Sequence, residues 1–181
     1  MRGILKNWHR YLLWLTVSFF LWAWIITLIT DAPAGKKVVL FADVPAMDRE
    51  GLSAALEAEL PEGIRFVETR LFTDDLFSPA DILKGDLFIV SAKQAEGFLP
   101  GFLPLDPGFS DRPLYASEGK VYGVCVFDEA AGIQTATPFV AYVPGETYFL
   151  FFNADSRHLG AWNGSADRAA VRVAQTLLSL P

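Results

Sequence analysis

Hydrophobic positions along this chain fall into two regimes. Residues 11–30, "YLLWLTVSFFLWAWIITLIT", run for twenty positions without a charge. As a helix rising about 1.5 Å per residue, that run reaches roughly 30 Å, one bilayer core. Its apolar residues occupy every side instead of one stripe, the pattern of a membrane span and not of a helix lying on a soluble core.

Beyond the first 37 residues the apolar runs are short and separated by turn residues. "KKVVLF" ends in a continuous β-branched and aromatic run, as a strand covered on both faces requires. Asp48 is placed to cap a helix in which Leu52, Leu56 and Leu60 recur every fourth position until Pro61. "GIRFVETRLF" reads as a second strand, Ser78 to Lys84 as a short helix started by Pro79, and "DLFIVSA" as a third, buried strand. Alternation of this kind predicts right-handed crossovers and a parallel sheet.

From Lys93 the pattern loosens. Prolines and glycines up to Pro113 allow a single turn at Lys93 to Gly97 and otherwise an irregular path. Three further strands, "KVYGVCVF", "PFVAYV" and "TYFLFFN", form an antiparallel addition, the last two joined by a turn at Pro144-Gly145. A closing helix follows, capped by Ser165, with Ala169, Ala170, Val173, Ala174, Leu177 and Leu178 on one face. The expected fold is α/β: an N-terminal transmembrane helix, then a single three-layer lobe with a mixed, mainly parallel sheet flanked by helices. The expected segments are a cytoplasmic stretch 1–10, a transmembrane helix 11–30, a linker 31–37 and an extracytoplasmic lobe 38–181.

Charge orients the span. Arg2, Lys6 and Arg10 precede it and Asp31 follows closely, so the positive-inside rule places the N-terminus in the cytoplasm and the lobe outside the cell membrane. The rival reading is a secretory signal cut at Ala32-x-Ala34. Signal h-regions run about 7–15 residues, shorter than this run, which favours a retained anchor. Removing Arg2, Lys6 and Arg10 from 15 basic residues, and Asp31 from 21 acidic ones, leaves 12 against 20 in the outer part. Nucleic acid is not an expected partner for that balance.

The chemistry-bearing residues are few. Cys125 is the single cysteine, so no intrachain disulfide can form, and within an apolar strand it reads as a small buried hydrophobe. Two histidines and one cysteine make no zinc cluster, and no phosphate loop or nucleophile elbow follows a strand, so neither metal nor cofactor is expected. Asp43 follows its strand while Asp86 precedes its own, which puts them at opposite ends of a parallel sheet, about 15 Å apart and unable to share acid–base work. Asp43, Asp74 and Asp75 would gather at the edge where open α/β sheets bind ligands. They are the candidate ligand-binding residues, against the plainer reading of a solvated loop with Asp75 or Ser78 capping a helix. Ser156 and His158 in "NADSRHLG" have no third group placed by a motif and read as a polar loop.

Taken in order, "KKVVLFADVP", "GDLFIVSAKQAEGFLPGFLPLD", "SEGKVYGVCV" and "YFLFFNADSRHLGAWNGSADRAAVRVAQTLL" resemble one lobe of a bacterial extracellular solute-binding protein with the type II periplasmic-binding fold. The resemblance implies that Gly119, Lys120, Tyr122 and Gly123 form the hairpin that leads from the first lobe toward the hinge. Two departures matter. Cys125 and Val126 stand where the family has a proline, and the ten residues from Asp128 to Thr137 are too few for a second lobe. A receiver domain is similar over "VVLFADVPAMDREGLSAALEAEL", but "DLFIVSA" ends without a phosphorylatable Asp.

These features lead to the expectation of a non-enzymatic, membrane-tethered domain, an accessory or scaffold of a transporter or other membrane complex. One alternative is a ligand sensor completed by a second copy or a partner. Another is an enzyme using Asp43 with Asp74 or Asp75.

Overall fold

Side-chain alternation along β1 (Lys37–Ala42) builds both sides of the larger unit in this computed structural model, which describes residues 8–30, 34–58, 60, 64, 66–71 and 85–181. Val38, Leu40 and Ala42 enter one apolar core; Val39 and Phe41 enter another on the opposite face. A strand covered on both faces needs the continuous apolar run that "KVVLFA" supplies.

The chain divides into two units, Met1–Pro33 and Ala34–Pro181. In the first, α1 (Trp8–Thr30) includes a stretch from Trp8 to Ile26 with mean hydropathy 1.3, none of it buried. It is long and apolar enough to cross a bilayer.

The second unit is an α/β fold around a seven-stranded sheet in the order β3-β1-β4-β9-β6-β5, with β7 also paired to β6. β3 (Phe66–Leu71) and β4 (Leu87–Ser91) flank β1, both parallel to it. β9 (Tyr148–Phe152) lies antiparallel between β4 and β6 (Lys120–Asp128), with β5 (Leu114–Ser117) and β7 (Ile133–Gln134) antiparallel to β6. The sheet is therefore mixed: β1, β3, β4 and β6 run one way and β5, β7 and β9 the other.

Two helices lie over the first core. α2 (Arg49–Glu57) starts where the Asp48 carboxylate accepts from Gly51 N at 3.1 Å, and it buries Leu52 and Leu56. α4 (Ala169–Ser179) buries Ala169, Ala170, Val173, Ala174 and Leu177. The second core takes Ala95 from α3 (Ala92–Phe98), together with Phe88, Phe102 and Phe151.

Two sequence expectations need correcting. "PFVAYV" does not join the main sheet: only β8 (Val140–Ala141) is a strand, and it pairs with β2 (Ala46–Met47). The N–H groups of Phe139 and Val140 turn back to Ala136 O, both at 2.9 Å, so neither is offered to the main sheet. Ser165 does not cap the last helix either. Its Oγ accepts from Leu159 N and Gly160 N, at 2.8 and 2.7 Å, while Asp167 accepts from Ala169 N at 2.9 Å. The helix expected over 78–84 lies outside the described residues.

Candidate functional site

The end of the sheet at which β1 and β4 finish carries the sequence candidate Asp43. Its N–H donates to Ile89 O at 2.8 Å, fixing the residue just past β1, and its side chain is half-buried. Asp43, Ser91, Lys93, Gln94, Glu146 and Tyr148 line a shallow cleft of about 310 Å³ there. Asp74 and Asp75, the partners expected for Asp43, lie outside the described residues. Lys93 Nζ donates to Glu146 Oε1 at 2.5 Å and holds that carboxyl below its ordinary value. The Tyr148 hydroxyl donates to Glu146 Oε2 at 3.4 Å, and burial pushes the phenol up. Two polar groups that sequence reasoning missed, the Glu146 carboxylate and the Tyr148 hydroxyl, thus join Asp43. They come from the turn before β9 and the first residue of β9, more than a hundred residues away in the chain, and no local motif marks them.

At the opposite end, where β4 begins, the structure brings together Asp86, Ser156, His158 and Asp167. Asp86 and Asp43 stand at opposite ends of the sheet, since Asp86 N donates to Val39 O and its Oδ2 accepts from Val39 N at 2.8 Å. Its Oδ1 accepts from Ser156 Oγ at 2.6 Å, and Ser156 Oγ accepts in turn from His158 N at 3.1 Å. The His158 ring sets Nδ1 2.9 Å from both Asp167 oxygens. Ser156 and His158 are 4% and 1% exposed. The segment is a polar loop, as read from the sequence, and its Ser156 and His158 side chains are buried because they serve buried partners.

Burial pushes the Asp86 carboxyl up, and the Ser156 hydrogen bond pulls it part of the way back. The geometry does not support nucleophilic catalysis by Ser156. Its proton points at a carboxylate, and the His158 group that meets it is the backbone N–H and not the ring. A cleft of about 300 Å³ lies beside this cluster, with Lys37, Glu68, Arg70 and Arg157 among its walls. Burial works to raise the Glu68 carboxyl, but hydrogen bonds from Lys37, at 3.0 Å, and Arg70 outweigh it and leave the group lowered. Among the described residues no group of three or more His, Cys, Asp or Glu side chains is arranged to hold a metal ion.

Comparison of the chain with family models, with curated proteins and with solved structures finds no match.

Proposed function

We propose that this protein is a non-enzymatic, membrane-tethered relative of solute-binding proteins, reduced to one three-layer lobe, that acts as an accessory or scaffold of a transporter or other membrane complex. α1 is the anchor, with the N-terminus cytoplasmic and the lobe outside. α2 and α4 form one layer of the lobe and α3 belongs to the other.

The observation that carries the reading is the route from β6 to β9. Residues 129–147 hold only the two-residue strands β7 and β8, and then β9 enters the sheet between β4 and β6. In the family that the sequence resembles, the chain would build its second lobe here and return. This chain returns without one, so it lacks the second wall with which two-lobed proteins enclose a small ligand. The polar groups suited to chemistry also serve other ends: Ser156 is bound to Asp86, and Glu146 to Lys93.

The test is isolation of the full chain from membranes in mild detergent, followed by identification of what comes with it. The expected result is a stoichiometric complex with an integral membrane transport subunit. Recovery of the chain alone, at every detergent strength that keeps it folded, would overturn the scaffold reading.

A further inference from the structure

Ser91 ends β4 in the wall of the Asp43 cleft, 3% exposed, with its hydroxyl unspent. It precedes α3 without capping it, and no other group among the described residues bonds to that hydroxyl. Gln94, in the same wall, adds a second case: its Oε1 is buried without a hydrogen-bond partner. Buried polar atoms are nearly always paired, so two unspent ones at one cleft call for a donor from elsewhere.

Charge says which kind of donor. Asp43, Glu146 and Lys93 are the charged groups among the described walls of the cleft, an excess of one negative charge. Besides burial, the charges of Glu146 and Asp43 both push the Tyr148 phenol up, so the two carboxylates face the same hydroxyl. Lys93 already shows an ammonium taken up there. Its Nζ meets Glu146 Oε1 at 2.5 Å, yet its side chain is 76% exposed, and an ion pair that open to water is weak enough to exchange.

The remaining walls are apolar. Val44 is buried, and Pro45 and Val143 reach the surface beside it. A methylene stem packs on such side chains while its charged head turns to the acceptors. The cleft, about 310 Å³ and shallow, suits a side chain carried by a larger molecule better than a free solute, which it would leave largely uncovered.

From these observations, we propose that the Asp43 cleft receives a lysine side chain of a protein partner. Its ammonium meets Asp43 and Ser91 Oγ and draws the Gln94 oxygen round, with the stem laid on Val44, Pro45 and Val143. Lysine fits better than arginine. The acceptors come from the loop after β1, the end of β4 and the turn before β9, so three divergent donors on one head suit them where a flat guanidinium fork does not. The inference deepens the scaffold reading and rests on it for the partner.

The probe is Nα-acetyl-lysine methylamide, titrated into the full chain in detergent and followed by the backbone amide shifts of Ser91 and Gln94. A dissociation constant of about 1–10 mM is expected for one ion pair open to water, with the uncharged Nε-acetyl form about tenfold weaker and the arginine counterpart several-fold weaker. Lys93→Ala releases Glu146 and should tighten the lysine probe several-fold. Ser91→Ala should weaken it several-fold without lowering the thermal midpoint, since that hydroxyl bonds nothing in the free protein. Equal binding of the lysine and Nε-acetyl probes, or no tightening in Lys93→Ala, overturns the site; an arginine probe bound as tightly overturns the choice of lysine. The partner is tested apart. Asp43→Asn combined with Ser91→Ala should lose the membrane subunit that purifies with the wild-type chain. Retention of that subunit overturns the docking and leaves the scaffold reading standing. A chain that binds the probe yet purifies alone overturns the scaffold reading and the partner together, leaving a site for free amines.

Discussion

Ser156 Oγ donates a 2.6 Å hydrogen bond to Asp86 Oδ1 across seventy residues of chain. That bond ties the loop after β9 to the first residue before β4, and Asp86 Oδ2 extends the tie to β1 through Val39 N. One buried carboxylate therefore joins three strands at the same end of the sheet. Asn163 Nδ2 reinforces the loop by donating to Ser156 O at 2.6 Å.

Asp86 should make stability fall as pH rises. Burial raises its folded-state value above the ordinary 3.8, so the folded protein holds this proton more tightly than the unfolded chain does. The stability it contributes is complete below that ordinary value and is lost as pH climbs through the raised one. Asp86→Asn removes the titration while keeping an oxygen for Val39 N and an amide to meet Ser156. Urea unfolding of the full chain in detergent at a series of pH values should show the variant gaining on the wild type from acid toward neutral. A wild type that gained on the variant instead would mean that the charged form is the one favoured. Asp86→Ala should cost about 1–3 kcal/mol for each buried donor left unpaired.

Gly123 is needed for packing. A Cβ there would lie 2.7 Å from the ring of Phe151, which is itself stacked on Phe102 with centroids 4.5 Å apart and cannot move aside. Gly119, at φ +76°, is needed for its turn and has open space around it. Gly123→Ala should cost about 1–3 kcal/mol by overpacking, and Gly119→Ala about 1–2 kcal/mol by left-handed strain. Asparagine separates the two causes: Gly119→Asn should recover much of its loss and Gly123→Asn should lose more. Equal behaviour of the two asparagine variants in thermal unfolding would sink the distinction.

These glycines show what was legible in the chain. Elements whose signal is local were read correctly: "KKVVLF" and "DLFIVSA" as buried strands, observed at Lys37–Ala42 and Leu87–Ser91, Asp48 as a cap, and the periodicity of Ala169 to Leu177 as a helix. Failures came where a residue serves a distant partner. Ser165 has the chemistry of a cap, but the turn at Leu159 and Gly160 takes its oxygen. "PFVAYV" is apolar because Val140 enters the core and Phe127 stacks on Tyr142 at 4.5 Å, not because it pairs in the main sheet. The burial of His158 depends on Asp167 and on the packing of α4, which no period in "NADSRHLG" encodes. Of the candidate carboxylates, Asp43 was placed correctly at its end of the sheet, but Glu146 and Tyr148 could not be read from its neighbourhood.

Arg112 should hold the end of the chain in place. Its guanidinium donates to Leu178 O at 2.6 Å, to Thr135 Oγ1 and, at 3.5 Å, to Cys125 O, so one side chain links α4 to β6 and to the segment after β7. Arg112→Met keeps most of the stem and removes every donor. It should destabilise the protein by about 2–4 kcal/mol, since buried acceptors lose charged partners. Arg112→Lys should restore less than half, because a single ammonium cannot span acceptors that a planar fork reaches. Full recovery by lysine, measured by urea midpoint, would show that charge alone is what the site uses.

The Asp43 cleft should bind small solutes weakly. High-affinity small-molecule sites bury roughly 70–90% of the ligand, and a shallow cleft at one end of a sheet presents a single wall. Lys93 already engages Glu146 there, so a ligand cation would have to compete with that ion pair. A charged contact left open to water adds no more than about 1 kcal/mol, against the cost of immobilising the ligand. Calorimetric titration of the detergent-solubilised full chain with sugars, short peptides and polyamines should therefore give dissociation constants no tighter than about 0.1 mM, or roughly 5.5 kcal/mol. One ligand bound in the low micromolar range at one per chain, with affinity lost in Asp43→Asn and unchanged in Ala130→Ser, would replace the scaffold reading with that of a sensor.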